Sequence, residues 1–411
     1  MRVLFVTNVF PPAYTGGAEV ANYHTLRGLI RRGVTCELLF VNNRMPRTTE
    51  DWYELDNIPV HRMDYFTRRR TAVGDVFDLR VYRAMRAELQ RFKPDVVHMQ
   101  NMSGATLAPY VACRTAAVPV VNTLHDHWLL CPNNMLYRDD ASLCDVTQGR
   151  GRCSHCFHRY DFWGDIPYRR ALFAALTSNV QAFISPSLAT IDLHVRSGYV
   201  RSRFRHVPHA LPDEPLASAT FPAVQRSVAT RGTRPTLVFL GGGTEIKGAG
   251  VVLAALPELI QRLPGLRVIV AGGGEERLLA EFKRFAPAVE LAGFVPFGET
   301  RTLMNAADLT LVPSTCHESF SLVTLESLLA GTPVIGSAFG GIAEIIREGE
   351  TGYLIPVGDA AALVEKAIAY FAQAPTRRRQ LRQRCRTEAR TRFSMDLYFD
   401  RVQAVYRDVT G

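Results

Sequence analysis

Residues 236–248 read TLVFLGGGTEIKG: a short apolar run, three glycines, then Lys247 and Gly248. An apolar run with no polar alternation marks a strand buried on both faces, as in a parallel sheet. Glycines directly after it allow a tight turn, and a helix is expected from about Gly248. The same grammar recurs along the chain. Val3–Thr7 (VLFVT) leads through a loop over 8–17 to a helix from Ala18 to Arg32, closed by Gly33. Leu266–Val270 runs into Gly272-Gly273-Gly274, with a helix expected near Glu275. Further strands are expected at Val34–Val41, Asp95–Met99, Val118–Thr123, Val180–Ile184, Phe204–Val207, Val289–Gly293, Leu309–Val312 and Pro333–Gly336. A helix near Val81–Phe92 follows an irregular basic stretch, and helices at about Thr376–Arg392 and Met395–Val409 close the pattern. Strands alternating with helices imply parallel βαβ units.

Between the two series lies 211–235 (LPDEPLASATFPAVQRSVATRGTRP), which has no sustained period and reads as a linker. The expected architecture is therefore α/β: two doubly wound domains, over 1–212 and 213–390, facing across a cleft. Residues 391–411 are expected to form a helix that packs back on the first domain. In such sheets ligands sit at the carboxyl ends of the strands. The 411 residues are 47% hydrophobic and 21% charged, which excludes disordered and fibrous classes. No uncharged apolar run reaches about 18 residues and the first ten residues do not read as a signal peptide, so the expected location is cytoplasmic.

The net charge is +9, and 44 of the 48 basic residues are Arg. Residues 1–215 hold 26 basic and 20 acidic groups, so +6 of the excess lies there. An Arg bias of this kind follows genome composition and is no signature of nucleic acid. It suits a phosphorylated substrate or peripheral contact with an anionic membrane at its inner face.

The most specific stretch is 313–333, PSTCHESFSLVTLESLLAGTP. Glu318 and Glu326 are separated by seven residues. With a helix starting near Ser319 or Phe320, Glu326 lies about two turns along it and Glu318 sits at its mouth. A carboxylate accepts from two vicinal hydroxyls, a natural grip on a sugar or ribose ring. The N–H groups of Ser319, Phe320 and Ser321 at the helix start offer further donors.

Taken as a set, these motifs resemble the family 4 glycosyltransferases, which have the GT-B fold. The resemblance is carried by Gly16-Gly17-Ala18-Glu19, Thr123-Leu124-His125-Asp126, Ile184-Ser185-Pro186-Ser187, Gly241…Lys247-Gly248 and Ala271-Gly272-Gly273-Gly274. It continues through Leu291–Val295, Ala307-Asp308-Leu309, Val312-Pro313-Ser314, Gly331-Thr332-Pro333-Val334 and Thr351-Gly352-Tyr353-Leu354. It implies retaining transfer of a sugar from a UDP, GDP or ADP sugar to a glycan, lipid-linked or small-molecule acceptor, of the kind used in bacterial polysaccharide biosynthesis.

Carried over residue by residue, the resemblance implies that Lys247 holds the donor diphosphate and Glu326 the ribose. Glu318, with the backbone of Ser319, Phe320 and Ser321, would bind the donor sugar. His125 would contact that sugar, and Gly16 and Gly17 would approach the phosphates. No metal is implied for the transfer, in keeping with the lack of any Asp-x-Asp in the chain. Two positions depart from the family pattern: Gly242 stands where an Arg is common, and His209-Ala210 replaces an Asn-Gly. Rival readings are another GT-B enzyme, either a sugar phosphorylase or a nucleotide-sugar epimerase, and a catalytically idle sugar-nucleotide binder.

One feature stands outside this set. Cys131, Cys144, Cys153 and Cys156 are spaced C-x12-C-x8-C-x2-C within an insertion at about 127–165. Four thiolates suit a closed, structural tetrahedral zinc site, with an iron–sulfur cluster as the lesser alternative.

Overall fold

The computed structural model describes residues 1–12, 16–42, 44–66, 76–103, 105–132, 134–138, 142–146, 169–214, 220–232 and 234–411. The chain divides into two units: one of Met1–His209 with Met395–Gly411, the other of Ala210–Ser394.

The first unit is built on β1 (Arg2–Thr7), α1 (Gly17–Arg31), β2 (Thr35–Asn42), β3 (Arg44–Leu55), β4 (Ile58–Phe66), α2 (Leu79–Phe92), β5 (Val96–Met99), α3 (Ala108–Ala116), β6 (Val120–Thr123), α4 (Arg169–Leu176), β7 (Val180–Ser185), α5 (Leu188–Arg196) and β8 (Phe204–His206). Its sheet runs β3-β4-β2-β1-β5-β6-β7-β8. All neighbours are parallel except the edge pair β3–β4. The continuous apolar runs have the expected burial: Val3, Leu4, Phe5 and Val6 are all at or near zero exposure.

The β3–β4 hairpin is a difference from the sequence reading, which left this stretch irregular. Asp56 and Asn57 both take positive φ (51° and 63°), the backbone of a two-residue hairpin turn. Ile58, Val60, Met63 and Tyr65 of β4 are buried, while β3 is mostly polar and carries no apolar alternation to announce it.

The C-terminal helix (Met395–Thr410) belongs to this unit. Its Tyr406 hydroxyl lies 2.6 Å from His98 Nδ1, and its Tyr398 hydroxyl 3.0 Å from Thr25 Oγ1 on α1. Arg32 reaches both Asp396 and Asp400 at 2.6 Å.

The second unit contains α6 (Pro222–Ala229), β9 (Thr236–Phe239), α7 (Ala249–Arg262), β10 (Arg267–Ala271), α8 (Glu276–Lys283), β11 (Val289–Gly293), α9 (Phe297–Ala306), β12 (Leu309–Val312), α10 (Leu322–Ala330), β13 (Val334–Ser337), α11 (Gly340–Ile345), β14 (Gly352–Ile355), α12 (Ala360–Phe371) and α13 (Pro375–Arg392). The sheet order is β11-β10-β9-β12-β13-β14, parallel throughout. The order jumps from β9 to β12, so the strand ends on either side of that step open a crevice of the kind doubly wound sheets use for ligands.

The stretch read as a linker is not structureless, because α6 lies within it and packs Val224 into a buried cluster with Val238, Ile269 and Leu303. An eight-residue helix flanked by Pro, Ser and Thr shows too little period to be seen in sequence.

Helix α13 carries arginines that end three other helices. Arg382 donates to the carbonyls of Asn305 and Ala307 at the end of α9, both at 2.7 Å. Arg386 donates to Ala330 at the end of α10 (3.0 Å), and Arg392 to Glu344 and Ile345 at the end of α11 (2.6 and 3.1 Å). The last carbonyls of a helix lack partners within it and carry partial negative charge, so a guanidinium there is doubly matched. Gly331 makes one of these contacts possible: a Cβ there would lie 2.6 Å from Arg386 Nε. The described residues hold no helix long and apolar enough to cross a membrane.

Candidate active site

In the second unit, Lys247 and Glu318 come from two loops locked together through their backbones. Lys247 ends a 3-10 turn, Glu245–Lys247, and Gly248 follows it with φ +88°. The N–H of Thr315, in the loop after β12, donates to the carbonyl of Ile246 at 3.0 Å. Gly248 lies so near that loop that a Cβ would stand 2.1 Å from the Pro313 carbonyl oxygen. The result is an ion pair across 71 positions of sequence: Lys247 Nζ lies 2.6 Å from Glu318 Oε1.

Ser314 Oγ donates to the same Glu318 oxygen at 3.0 Å. Burial pushes the Glu318 carboxyl up, but the Lys247 ammonium and the Ser314 hydroxyl outweigh it and hold it below the usual range.

The backbone around Glu318 is fixed from beneath by the start of α11. The Gly341 N–H donates to the Glu318 carbonyl at 2.9 Å. A Cβ at Gly341 would lie 2.5 Å from Phe320 Cα, and one at Gly340 2.8 Å from the Glu318 carbonyl oxygen. The sequence gives no sign that this Gly-Gly pair belongs to the site, since it sits some twenty positions downstream. The Phe320 ring is buried, edge-on to Phe393. Ser321 takes φ +104° and caps α10, its Oγ accepting from the Thr324 N–H at 3.3 Å. The helix thus starts at Leu322, later than the sequence suggests, and Ser319, Phe320 and Ser321 form the turn before it.

Glu326 therefore lies about one turn into α10 rather than two. It is buried, and Thr300 Oγ1 donates to Oε2 at 3.3 Å. Burial pushes its pKa up to about 8, with the Thr300 hydroxyl and the Arg301 charge offsetting only part of the rise. The sequence reading has a charged carboxylate here; in the unliganded chain it is largely protonated at neutral pH.

The two glycine turns of the second unit meet each other. Gly242 N–H donates to the Ala271 carbonyl (2.9 Å) and Gly243 N–H to the Gly273 carbonyl (3.0 Å), so the two glycine turns pack on each other. Gly242 has φ +53°, and a Cβ there would lie 2.0 Å from the Gly273 carbonyl oxygen. A side chain at position 242 would clash with the facing turn in this backbone.

In the first unit, Gly16 precedes α1 and its N–H donates to Glu19 Oε2 at 2.7 Å. Glu19 is buried, which raises its pKa, and Gly17 opens the helix. His125 follows β6 and its Nε2 lies 2.7 Å from Gln100 Oε1. Its ring stacks on His209, centroids 4.9 Å apart and planes at 10°. Burial, then the neighbouring His209 and His98, push the His125 pKa well below its ordinary value, so the ring is neutral. Thr300 and Gln100 have no signal in the sequence, because each acts through a contact between distant segments.

Of the cysteines, Cys153 and Cys156 lie outside the described residues, as do 147–168 as a whole. Cys131 and Cys144 are half-buried against the core of the first unit. Among the described residues no group of three His, Cys, Asp or Glu is placed to hold a metal ion, so neither zinc nor an iron–sulfur cluster gains support from them.

Residues 15–214 match the domain family described as Glycosyltransferase Family 4, and residues 234–373 the family described as Glycosyl transferases group 1. A phosphatidyl-myo-inositol mannosyltransferase of Mycobacterium tuberculosis is 32% identical over 182 residues, 43% of this chain and 48% of the relative. The match thus spans about half the length of that curated relative. A glycogen synthase of the same species is 33% identical over 304 residues, 71% of this chain and 64% of the relative. Among solved structures, Anabaena HepE in complex with UDP superposes with a TM-score of 0.72 at 17% identity, covering 99% of this chain and 100% of that one. The two parallel α/β units, the two domain matches in tandem and this superposition agree: the chain belongs to the family 4 glycosyltransferases and has the GT-B fold.

Proposed function

We propose that this protein is a glycosyltransferase that moves a sugar from a nucleotide diphosphate sugar to an acceptor with retention of anomeric configuration and without a metal in the transfer step. The observation that carries this reading is the Lys247–Glu318 pair, held at the crevice of the second unit by two interlocked loops. A donor diphosphate is the natural competitor for that ammonium. On binding, Lys247 meets the charge that grows on the leaving diphosphate. Glu318, released from the pair, accepts from sugar hydroxyls beside the backbone of Ser319, Phe320 and Ser321. Glu326 accepts from the ribose hydroxyls, Gly16 and Gly17 approach the phosphates, and neutral His125 contacts the sugar. HepE structures were obtained with UDP and with UDP-glucose, which supports a uridine donor among the candidates. The basic excess in residues 1–215 supports a glycan acceptor on a lipid carrier, with a cytoplasmic protein working at the inner membrane face.

The test is turnover against a panel of UDP, GDP and ADP sugars, with and without acceptor. Donor consumption is expected with one nucleotide class and to survive EDTA, and NMR of the product is expected to show the donor's anomeric configuration. An inverted product overturns the retaining reading. The four-cysteine zinc site remains a proposal from spacing alone, and metal analysis of the same preparation decides it.

Glu326 adds a pH dependence. Ribose hydroxyls need a carboxylate to accept both their hydrogen bonds, so the proton held at neutral pH must leave on binding. Affinity for the free nucleotide should rise by up to roughly tenfold per pH unit from about pH 6 and level off above about 8. The raised pKa also stabilises the unliganded fold at low pH, and that contribution is lost as pH rises through about 8. Calorimetry in buffers of different ionisation enthalpy reads the proton released. A flat affinity and no proton release would show that Glu326 does not take the ribose.

A further inference from the structure

Adjacent strands of the first unit carry two polar rungs at their carboxyl ends. His98 lies on β5 with Gln100 just past its end, and Thr123 ends β6 with His125 two positions beyond. One rung joins His98 Nε2 to Thr123 Oγ1 at 2.7 Å. The other joins His125 Nε2 to Gln100 Oε1, also at 2.7 Å. Gln100 is itself fixed: it is 4% exposed, and its N–H continues the ladder by donating to the Val6 carbonyl at 2.8 Å. Its Nε2 is buried and meets no hydrogen-bond partner among the described residues. An unmatched buried donor costs free energy, so a residue kept for packing alone would be better as Leu or Met. What the amide supplies is its oxygen.

We propose that Gln100 is a positioning residue that holds the His125 imidazole, by its Nε2, in one orientation and one tautomer for contact with the donor sugar. The inference rests on the reading of His125 given under Proposed function. An amide oxygen only accepts, so His125 Nε2 carries the ring proton and Nδ1 keeps its lone pair. The groups facing the ring keep it uncharged. His209 stacks on it, His98 lies on β5 just before Gln100, and burial holds both neutral, with pKa values near 4 and 3. The carboxylate next in sequence, Asp126, is engaged by the Trp128 N–H at 2.9 Å. Gln100 thus orients the ring without the charge that a carboxylate in its place would bring.

The experiment uses the full chain with UDP-glucose or GDP-mannose, whichever is consumed, and histidine ring NMR. Gln100→Leu should lower kcat roughly ten- to hundredfold with little change in donor KM, as loss of alignment does. Gln100→Met keeps the length without the oxygen and serves if the leucine lowers the melting temperature. Gln100→Glu should stabilise the imidazolium, so the His125 resonance titrates between about pH 5 and 8 and kcat gains a new pH limb there, both absent from the native protein. A native tautomer signal in Gln100→Leu, or an untitrated His125 in Gln100→Glu, would overturn the proposal. His125→Ala is measured alongside. Intact turnover in that variant would fail the sugar-contact reading, while the tautomer signal still decides whether Gln100 orients the ring.

Discussion

Lys247→Ala is expected to lower kcat/KM for the donor by roughly 10²–10³, the scale seen when one preorganised charge-stabilising group is removed. Two losses combine. The diphosphate loses its ammonium, and Glu318 loses the partner that keeps its carboxyl below the usual range against burial. The depressed pKa of Glu318 contributes stability above the usual carboxylate value, lost as pH falls through the lower, native one. Without Lys247 burial prevails, the pKa rises, and Glu318 meets the sugar partly protonated. Lys247→Arg should restore little, since a planar guanidinium does not replace a compact ammonium at a 2.6 Å contact. Steady-state kinetics across pH read both effects. A loss of less than about threefold would remove Lys247 from the site.

Gly248→Ala should be among the most damaging of the small substitutions. Its φ of +88° costs a non-glycine residue about 1–2 kcal/mol. The added Cβ falls 2.1 Å from the Pro313 carbonyl oxygen, and such overpacking costs about 1–3 kcal/mol more. Either the loops separate or the second unit loses about 3 kcal/mol of stability. Denaturant unfolding reads the second outcome. Donor affinity reads the first, because separated loops part Lys247 from Glu318. Gly273→Ala, where no neighbour lies within 4 Å of the added Cβ, is the matched control.

What could be read in advance follows from the range of the forces involved. VLFVT and TLVFL announce buried strands because burial on both faces is a local pattern. The two glutamates stood out for the same reason, eight positions apart on one short segment. The β3–β4 hairpin was missed because β3 is polar and pairs at an edge, where the sheet itself supplies the order. Gly242 reads from sequence only as a turn glycine where an Arg is common, yet its backbone faces another glycine turn some thirty positions away. The Lys247–Glu318 pair, the Thr300 bond to Glu326 and the Gln100 bond to His125 are all long-range, and no spacing rule reaches them.

The place of the C-terminal helix sets the order in which the protein can be finished as it is made. Residues 1–209 leave the ribosome first, yet His98 at the centre of their sheet takes its Nδ1 partner from Tyr406, and Thr25 its hydroxyl partner from Tyr398. Until those tyrosines have been synthesised, the groove they fill stays open to solvent or to whatever covers it in their place. The whole second unit, 210–394, is translated in that interval. The first unit is thus begun before the second and completed after it, and a nascent chain halted within the second unit presents the quality-control machinery with an unfinished first one.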